Sequence, residues 1–168
     1  MVVTDPRPSW DEWGLLLAKA VASRADCTRR QVGAILMRPD HTIVSTGYNG
    51  SPAGGPSCLA GECPRGLLSY SELPPDSSYD KTGCVAVHAE LNAILNSPRS
   101  VKGCTIYVSL FPCHECAKAI IQSGIRKIVY ESDKYASSDS VLASKRMLSS
   151  AGVELYQMNH KVEVNIRG

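Results

Sequence analysis

The chain is 168 residues long, 43% hydrophobic and 20% charged, and its 18 basic and 16 acidic side chains leave a net charge of +2. That is the size and composition of one globular domain with a real core, and the scattered basic residues argue against a dedicated nucleic-acid binder. No apolar run approaches the roughly 20 residues that span a membrane, and "MVVTDPRPSW" lacks the apolar stretch of a signal peptide, so a cytoplasmic location is expected.

Ser9 with Glu12 has the spacing of a capping box, and Trp13, Leu16, Leu17, Ala20 and Val21 then recur at helical spacing. "QVGAILM" and "TIVSTGY" read as two strands of a hairpin that turns at Pro39-Asp40. From Asn49 to Gly83 the chain is polar and dominated by Gly, Pro and Ser. So long a connection inside a compact domain is usually functional, or ordered by something other than a core. "CVAVHAELNAIL", beginning at Cys84, has the apolar content of a buried helix, whose regular part is expected from His88 to Asn96. A strand from Thr105 to Leu110, a helix from Cys113 stopped by Gly124, and the strand "KIVY" follow. Ser138 or Asp139 opens a further helix to Ala151, Gly152 ends it, and "VELYQ" is the last strand. Strands alternating with helices indicate an α/β sandwich with a partly parallel sheet. No repeat and no second domain is visible, so residues 1–168 read as one domain with a loop over about 49–83 and a tail over about 158–168.

Two ionisable side chains, His88 and Glu90, interrupt an otherwise apolar run, and burying unpaired charge is costly. Seven cysteines in a cytoplasmic chain read as metal ligands, redox groups or small core residues rather than disulfides. "PCHEC" puts Cys113 and Cys116 on the first turn of a helix, three residues apart and facing one way. Helix N-termini favour thiolate, the form that binds zinc. A redox pair is the competing reading, but no thioredoxin-like pattern surrounds it. One histidine and two thiolates make three zinc ligands and leave a fourth position for water, the arrangement of a catalytic site. Glu90 is then a carboxylate beside that water. H-x-E followed by P-C-x-x-C is the signature of the zinc-dependent deaminases.

"GYNGSPAGG", "HAELNAIL", "KGCTIYVSLFPCHECAKAIIQSGI" and "SDKYASSDS" resemble the deoxycytidylate deaminases, over about Trp13 to Tyr156. The resemblance implies a three-layer, cytidine-deaminase-like sandwich: a mixed five-stranded sheet with helices on both faces. It implies hydrolytic deamination of dCMP to dUMP and ammonia, supplying dUMP for thymidylate synthesis. His88, Cys113 and Cys116 would hold the catalytic zinc, and Glu90 would move the protons. Asn49 would bond the sugar, and Ser132, Asp133, Lys134 and Tyr135 would close over the nucleotide. Arg24 and Lys134 are the phosphate partners expected. A homo-oligomer, hexameric or dimer-based, with dCTP and dTTP effectors bound with Mg2+, also follows from the resemblance, and neither a stable nucleic-acid partner nor a membrane does. H-x-E and P-C-x-x-C are shared across the wider superfamily, so they specify chemistry and not substrate. CMP, cytidine, a 5-substituted dCMP or a polynucleotide remain alternative substrates, and a zinc-stabilised module without catalysis is the non-enzymatic reading.

Cys104, inside "KGCTIYV", is expected to be a small core residue. Cys27, Cys58, Cys63 and Cys84 are left, the number that a closed tetrahedral zinc site needs. A second, structural zinc held by them would tie the long loop to the first helix and to the start of the His88 helix. His41 is the alternative ligand should Cys63 or Cys84 stand apart.

Overall fold

The computed structural model describes residues 4–73 and 77–164. The elements in chain order are α1 (Trp10–Ala22), β1 (Gly33–Met37), β2 (Ile43–Tyr48), α2 (Pro64–Leu67), a 3-10 turn (Tyr70–Glu72), α3 (Ala89–Leu95), β3 (Thr105–Leu110), α4 (His114–Gln122), β4 (Lys127–Ser132), α5 (Asp139–Ser150) and β5 (Glu154–Gln157). The strands form one sheet in the order β2-β1-β3-β4-β5. β1 pairs antiparallel with β2 and β3, whereas β3, β4 and β5 run parallel. This is the mixed five-stranded sheet expected from the resemblance.

The sequence starts and stops its helices as capping chemistry dictates. Ser9 accepts the amide of Glu12 while Glu12 accepts the amide of Ser9, so the expected capping box forms at α1. Ser138 caps α5 by accepting the amide of Val141. Gly124 and Gly152, just past α4 and α5, take positive φ of 80° and 74°, the left-handed conformation that ends a helix cheaply only with glycine.

The sheet is covered on both faces. Leu15 and Ala18 of α1 pack with Ile35, Met37, Tyr107 and Val129. Ala89 and Ala93 of α3, Ala117 and Ile120 of α4 and Leu148 of α5 pack with Leu36, Ile106, Val108 and Ile128 on the other face. Every residue of β1 is buried, as a central strand sandwiched between helices must be. Fully burying a side chain such as Leu15 stabilises by about 1.5–3 kcal/mol. Met158 and Val162, in what the sequence suggests is a tail, are buried against the α1 cluster, so these two side chains join the core while their neighbours up to residue 164 are exposed. Residues 165–168, the remainder of the tail, lie outside the described residues, as do residues 74–76 of the long loop.

The helix expected from His88 to Asn96 forms: α3 begins at Ala89 with His88 as its N-cap, and residues 84–87 before it are not helical. Val87 instead exchanges backbone hydrogen bonds of 3.1 and 2.7 Å with Gly50, forming an isolated antiparallel bridge. The β-branched Val85 and Val87 suit that extended backbone. The bridge fixes where the helix can start, and it leaves His88 at the N-cap.

α3 also lies unusually close to β2. A Cβ placed on Gly47 would collide with the carbonyl oxygen of Ala89 and the amide of Ala93. The absence of a side chain at Gly47 therefore lets the helix that carries Glu90 rest directly on the sheet.

Candidate active site

His88 is the N-cap of α3, and Glu90 lies in its first turn. Cys113 is the N-cap of α4, with Cys116 in its first turn. Chain connectivity brings the two helix starts together at one end of the sheet, β3 delivering Phe111, Pro112 and Cys113 directly to it. The Nδ1 of His88 lies 3.4 Å from each of the Cys113 and Cys116 sulfurs. A tetrahedral zinc with Zn–S of about 2.3 Å and Zn–N of about 2.0–2.1 Å separates its ligand atoms by roughly 3.6 Å, so this donor set fits the ion. Among the described residues these three form the one group whose ligand atoms all lie within 4.8 Å of one another.

Electrostatics at the site point the same way. Hydrogen bonding from Cys116, followed by the His88 imidazole, holds the Cys113 thiol well below its ordinary range despite burial. Hydrogen bonding to Cys113 and burial beside Glu90 push Cys116 up in the same coupled set. A bound dication deprotonates coordinating thiols outright, so both sulfurs serve as thiolates once zinc is held. Glu90 is 4% exposed, and burial raises its carboxyl above the usual glutamate range. Its Oε2 accepts from the Cys116 sulfur at 3.7 Å, which places the carboxyl against the metal-ligand set.

The geometry agrees with what known proteins show. Residues 8–132 match the family model described as the cytidine and deoxycytidylate deaminase zinc-binding region. The chain belongs to that family. It is 46% identical over 125 residues to the deoxycytidylate deaminase of Mycobacterium phage D29, covering 74% of this chain and 95% of the phage protein. Identity to the human deoxycytidylate deaminase is 39% over 145 residues, 86% of this chain and 76% of that one. Among solved structures, the dCMP deaminase of cyanophage S-TIM5 in complex with dCMP and dUMP superposes with a TM-score of 0.66 at 26% identity, over 92% of this chain and all of the other. The zinc-dependent deaminase fold expected from the sequence is thus the fold observed.

The remaining candidate residues of this deaminase fall into distinct places. Asn49 is nearly buried, its Oδ1 accepting the Val32 amide and its Nδ2 donating to the Arg30 carbonyl, each at 2.8 Å. Much of its hydrogen-bonding capacity therefore braces the entry to β1. Ser132 ends β4, and its carbonyl accepts the Phe111 amide, setting the Ser132–Tyr135 turn beside the Cys113 approach. Asp133 forms a 2.7 Å ion pair with Lys145 while its Oδ1 is buried without a hydrogen-bond partner. Tyr135 packs against the core, and the Arg30 guanidinium stacks over its ring at 4.5 Å. Arg24 and Lys134 are both exposed. Cys104 is 1% exposed, the core residue expected. His41 stacks on Trp10 at the β1–β2 turn, with ring centroids 4.2 Å apart. Cys27, Cys58, Cys63 and Cys84 are all free thiols gathered around the long loop.

Three residues near the site carry no motif and escape a sequence reading. The ring of Tyr79 stands edge-on to His88, Arg65 stacks over Tyr79 at 4.7 Å, and Arg30 stacks over Tyr135. Arg65 and Tyr79 lie in the aperiodic loop, where spacing says nothing about partners.

Proposed function

We propose that the chain catalyses hydrolysis of dCMP to dUMP and ammonia, with His88, Cys113 and Cys116 holding the catalytic zinc and Glu90 as the proton carrier. The observation that carries this reading is a buried carboxyl within hydrogen-bonding reach of a sulfur in a three-ligand donor set. Zinc bound there supplies Lewis acidity that makes water nucleophilic near neutral pH. Glu90 takes a proton from the attacking water and delivers it to N3 of cytosine as C4 is attacked. It then passes the water's second proton to the departing amino group, so that one water is consumed and ammonia leaves. One carboxylate serves both transfers because both occur on the same side of the ring, and such help is typically worth about 10²–10⁴-fold. A structural zinc module would be closed by a fourth protein ligand and would have no use for a buried Glu90.

Asn49 positions the sugar with the donor and acceptor capacity that the β1 entry does not use. Ser132, Asp133, Lys134 and Tyr135 cover the nucleotide, with Lys145 fixing Asp133. Arg24 and Lys134 face solvent and are free to meet the 5′-phosphate, and Arg30 adds a cation against Tyr135. On family likeness alone, the reading extends to a single catalytic domain, a cytoplasmic homo-oligomer, and dCTP and dTTP effectors bound with Mg2+. No helix among the described residues is long and apolar enough to cross a membrane.

Ammonia release from dCMP, CMP, cytidine and dCTP, measured side by side, tests the substrate. A charge-assisted phosphate contact is worth about 1.5–3 kcal/mol, so kcat/KM for dCMP should exceed that for cytidine by at least about tenfold. Comparable values on the two would sink the monophosphate reading, and preference for single-stranded DNA would replace it with polynucleotide deamination.

A further inference from the structure

The two helices that carry the metal ligands begin differently from α1 and α5. Ser9 and Ser138 cap α1 and α5 with their own hydroxyls. The N-caps of α3 and α4 are His88 and Cys113, and neither makes a side-chain cap hydrogen bond. Their ligand atoms instead face one another at 3.4 Å. The first amides of such a helix still need partners, because the first four N–H groups of a helix meet no carbonyl within it. At α4 one partner comes from another element. The Ser140 hydroxyl, in the first turn of α5, accepts the His114 amide at 3.2 Å.

The hydroxyl is held firmly and used fully. Val141 and Leu148 seat α5 in the same core cluster as Ala117 and Ile120 of α4. A hydroxyl has two lone pairs and one hydrogen, so Ser140 accepts the amide and still meets the His114 imidazole, whose Nδ1 lies 2.9 Å away. The other ring nitrogen lies 2.9 Å from the Glu115 carboxylate, which accepts from Lys118 at 2.7 Å. His114 and Ser140 are both half-buried, so an amide left unmet there would cost more than one in open water.

We propose that Ser140 is a positioning residue of the zinc site, capping α4 in place of Cys113 and thereby fixing both thiolates. The inference rests on the reading of His88, Cys113 and Cys116 as zinc ligands. The His114 amide belongs to the planar peptide that joins it to Cys113. The carbonyl at the other side of that plane accepts the Ala117 amide at 2.9 Å. Ser140 and α4 therefore hold one peptide from both sides, and that peptide sets the backbone from which Cys113 and the turn to Cys116 project.

The same hydroxyl joins the metal helix to the Ser132–Tyr135 turn. That turn runs into α5 through two backbone hydrogen bonds, from the Ala136 amide to the Asp133 carbonyl at 3.0 Å and from the Ser138 amide to the Tyr135 carbonyl at 2.9 Å. Ser138 then caps α5, and Ser140 stands two residues further on. A short path of hydrogen bonds and one helical turn thus ties the segment proposed to cover the nucleotide to the peptide of Cys113.

Competition with a chelator, on full-length zinc-loaded protein, tests this without relying on turnover. Ser140→Ala leaves the amide unmet and should hold zinc about tenfold more weakly, whereas Ser140→Thr keeps the hydroxyl and should match the wild type. His114→Pro supplies the control. Proline is favoured at the first helical position and has no N–H, and Cys113, at φ −70° and ψ 170°, has the backbone that a following proline requires. With no amide to satisfy, adding Ser140→Ala to His114→Pro should cost little further affinity, since removing both partners of a hydrogen bond is nearly neutral. Should Ser140→Ala alone not fold, a double variant that folds and holds zinc supports the proposal, and one that does not overturns it. A cap serving only the stability of α4 would lower thermal unfolding of Ser140→Ala and leave its zinc affinity unchanged. That result, or an equal loss when Ser140→Ala is added to His114→Pro, would overturn the proposal. A wild type that holds no zinc would overturn the metal reading and this proposal with it.

Discussion

The phenol ring of Tyr79 stands edge-on to the imidazole of His88, with centroids 5.2 Å apart and planes at 82°. Edge-to-face contacts of this kind are worth about 0.5–1.5 kcal/mol beyond the area they bury. Here the contact orients a ring whose Nδ1 faces two sulfurs. Groups that orient metal ligands typically change metal affinity by about 10–100-fold when removed. Tyr79→Ala should therefore weaken zinc retention by about tenfold against a competing chelator, with Tyr79→Phe close to wild type. Equal retention in all three proteins would show that His88 is oriented without Tyr79.

Gly47 supplies a second test, on the sheet side of the same helix. A methyl group there cannot coexist with the Ala89 carbonyl and the Ala93 amide as they stand, and backbone cannot step aside as a flexible side chain can. Gly47→Ala should cost about 1–3 kcal/mol in denaturant unfolding, the usual range for overpacking, and should depress activity by moving Glu90. Unchanged stability with unchanged turnover would mean that α3 is not held by this contact.

The metal motif was legible in the sequence because each half is local. His88 and Glu90 sit two residues apart at one helix start, and Cys113 and Cys116 three apart at another. Each pair needs only one turn of backbone to be placed. The pairing of Gly50 with Val87, which sets the extended approach to α3, was not legible, because it joins segments far apart in sequence. Tyr79, Arg65 and Arg30 were hidden for a related reason. They are placed by ring stacking and carbonyl contacts, which leave no periodicity to read. Asn49 was found as a candidate, but its use by the Val32 and Arg30 backbone required the fold.

The capping box of α1 gives a pH-dependent prediction. Hydrogen bonds from the Ser9 amide and hydroxyl hold the Glu12 carboxyl below its ordinary 4.5. With the folded value beneath the unfolded one, the stabilisation is fully present above the unfolded value and disappears as pH falls through the folded value. Glu12→Gln should therefore unfold more readily than wild type at neutral pH, and the gap should close in acid below the glutamate range. Ser9→Ala removes the cap itself and should cost about 1 kcal/mol. A gap between Glu12→Gln and wild type that stays constant from neutral pH into acid would contradict the charged cap.

The measurement that bears most directly on the reaction is turnover of dCMP by Glu90→Gln, taken together with its zinc content. The amide nearly matches the carboxylate in shape, and His88, Cys113 and Cys116 are untouched, so the catalytic zinc should be retained. Without a group to carry the proton from water to N3 and on to the leaving amine, turnover should fall by at least about 10²-fold. Near-normal turnover by zinc-loaded Glu90→Gln would contradict the account.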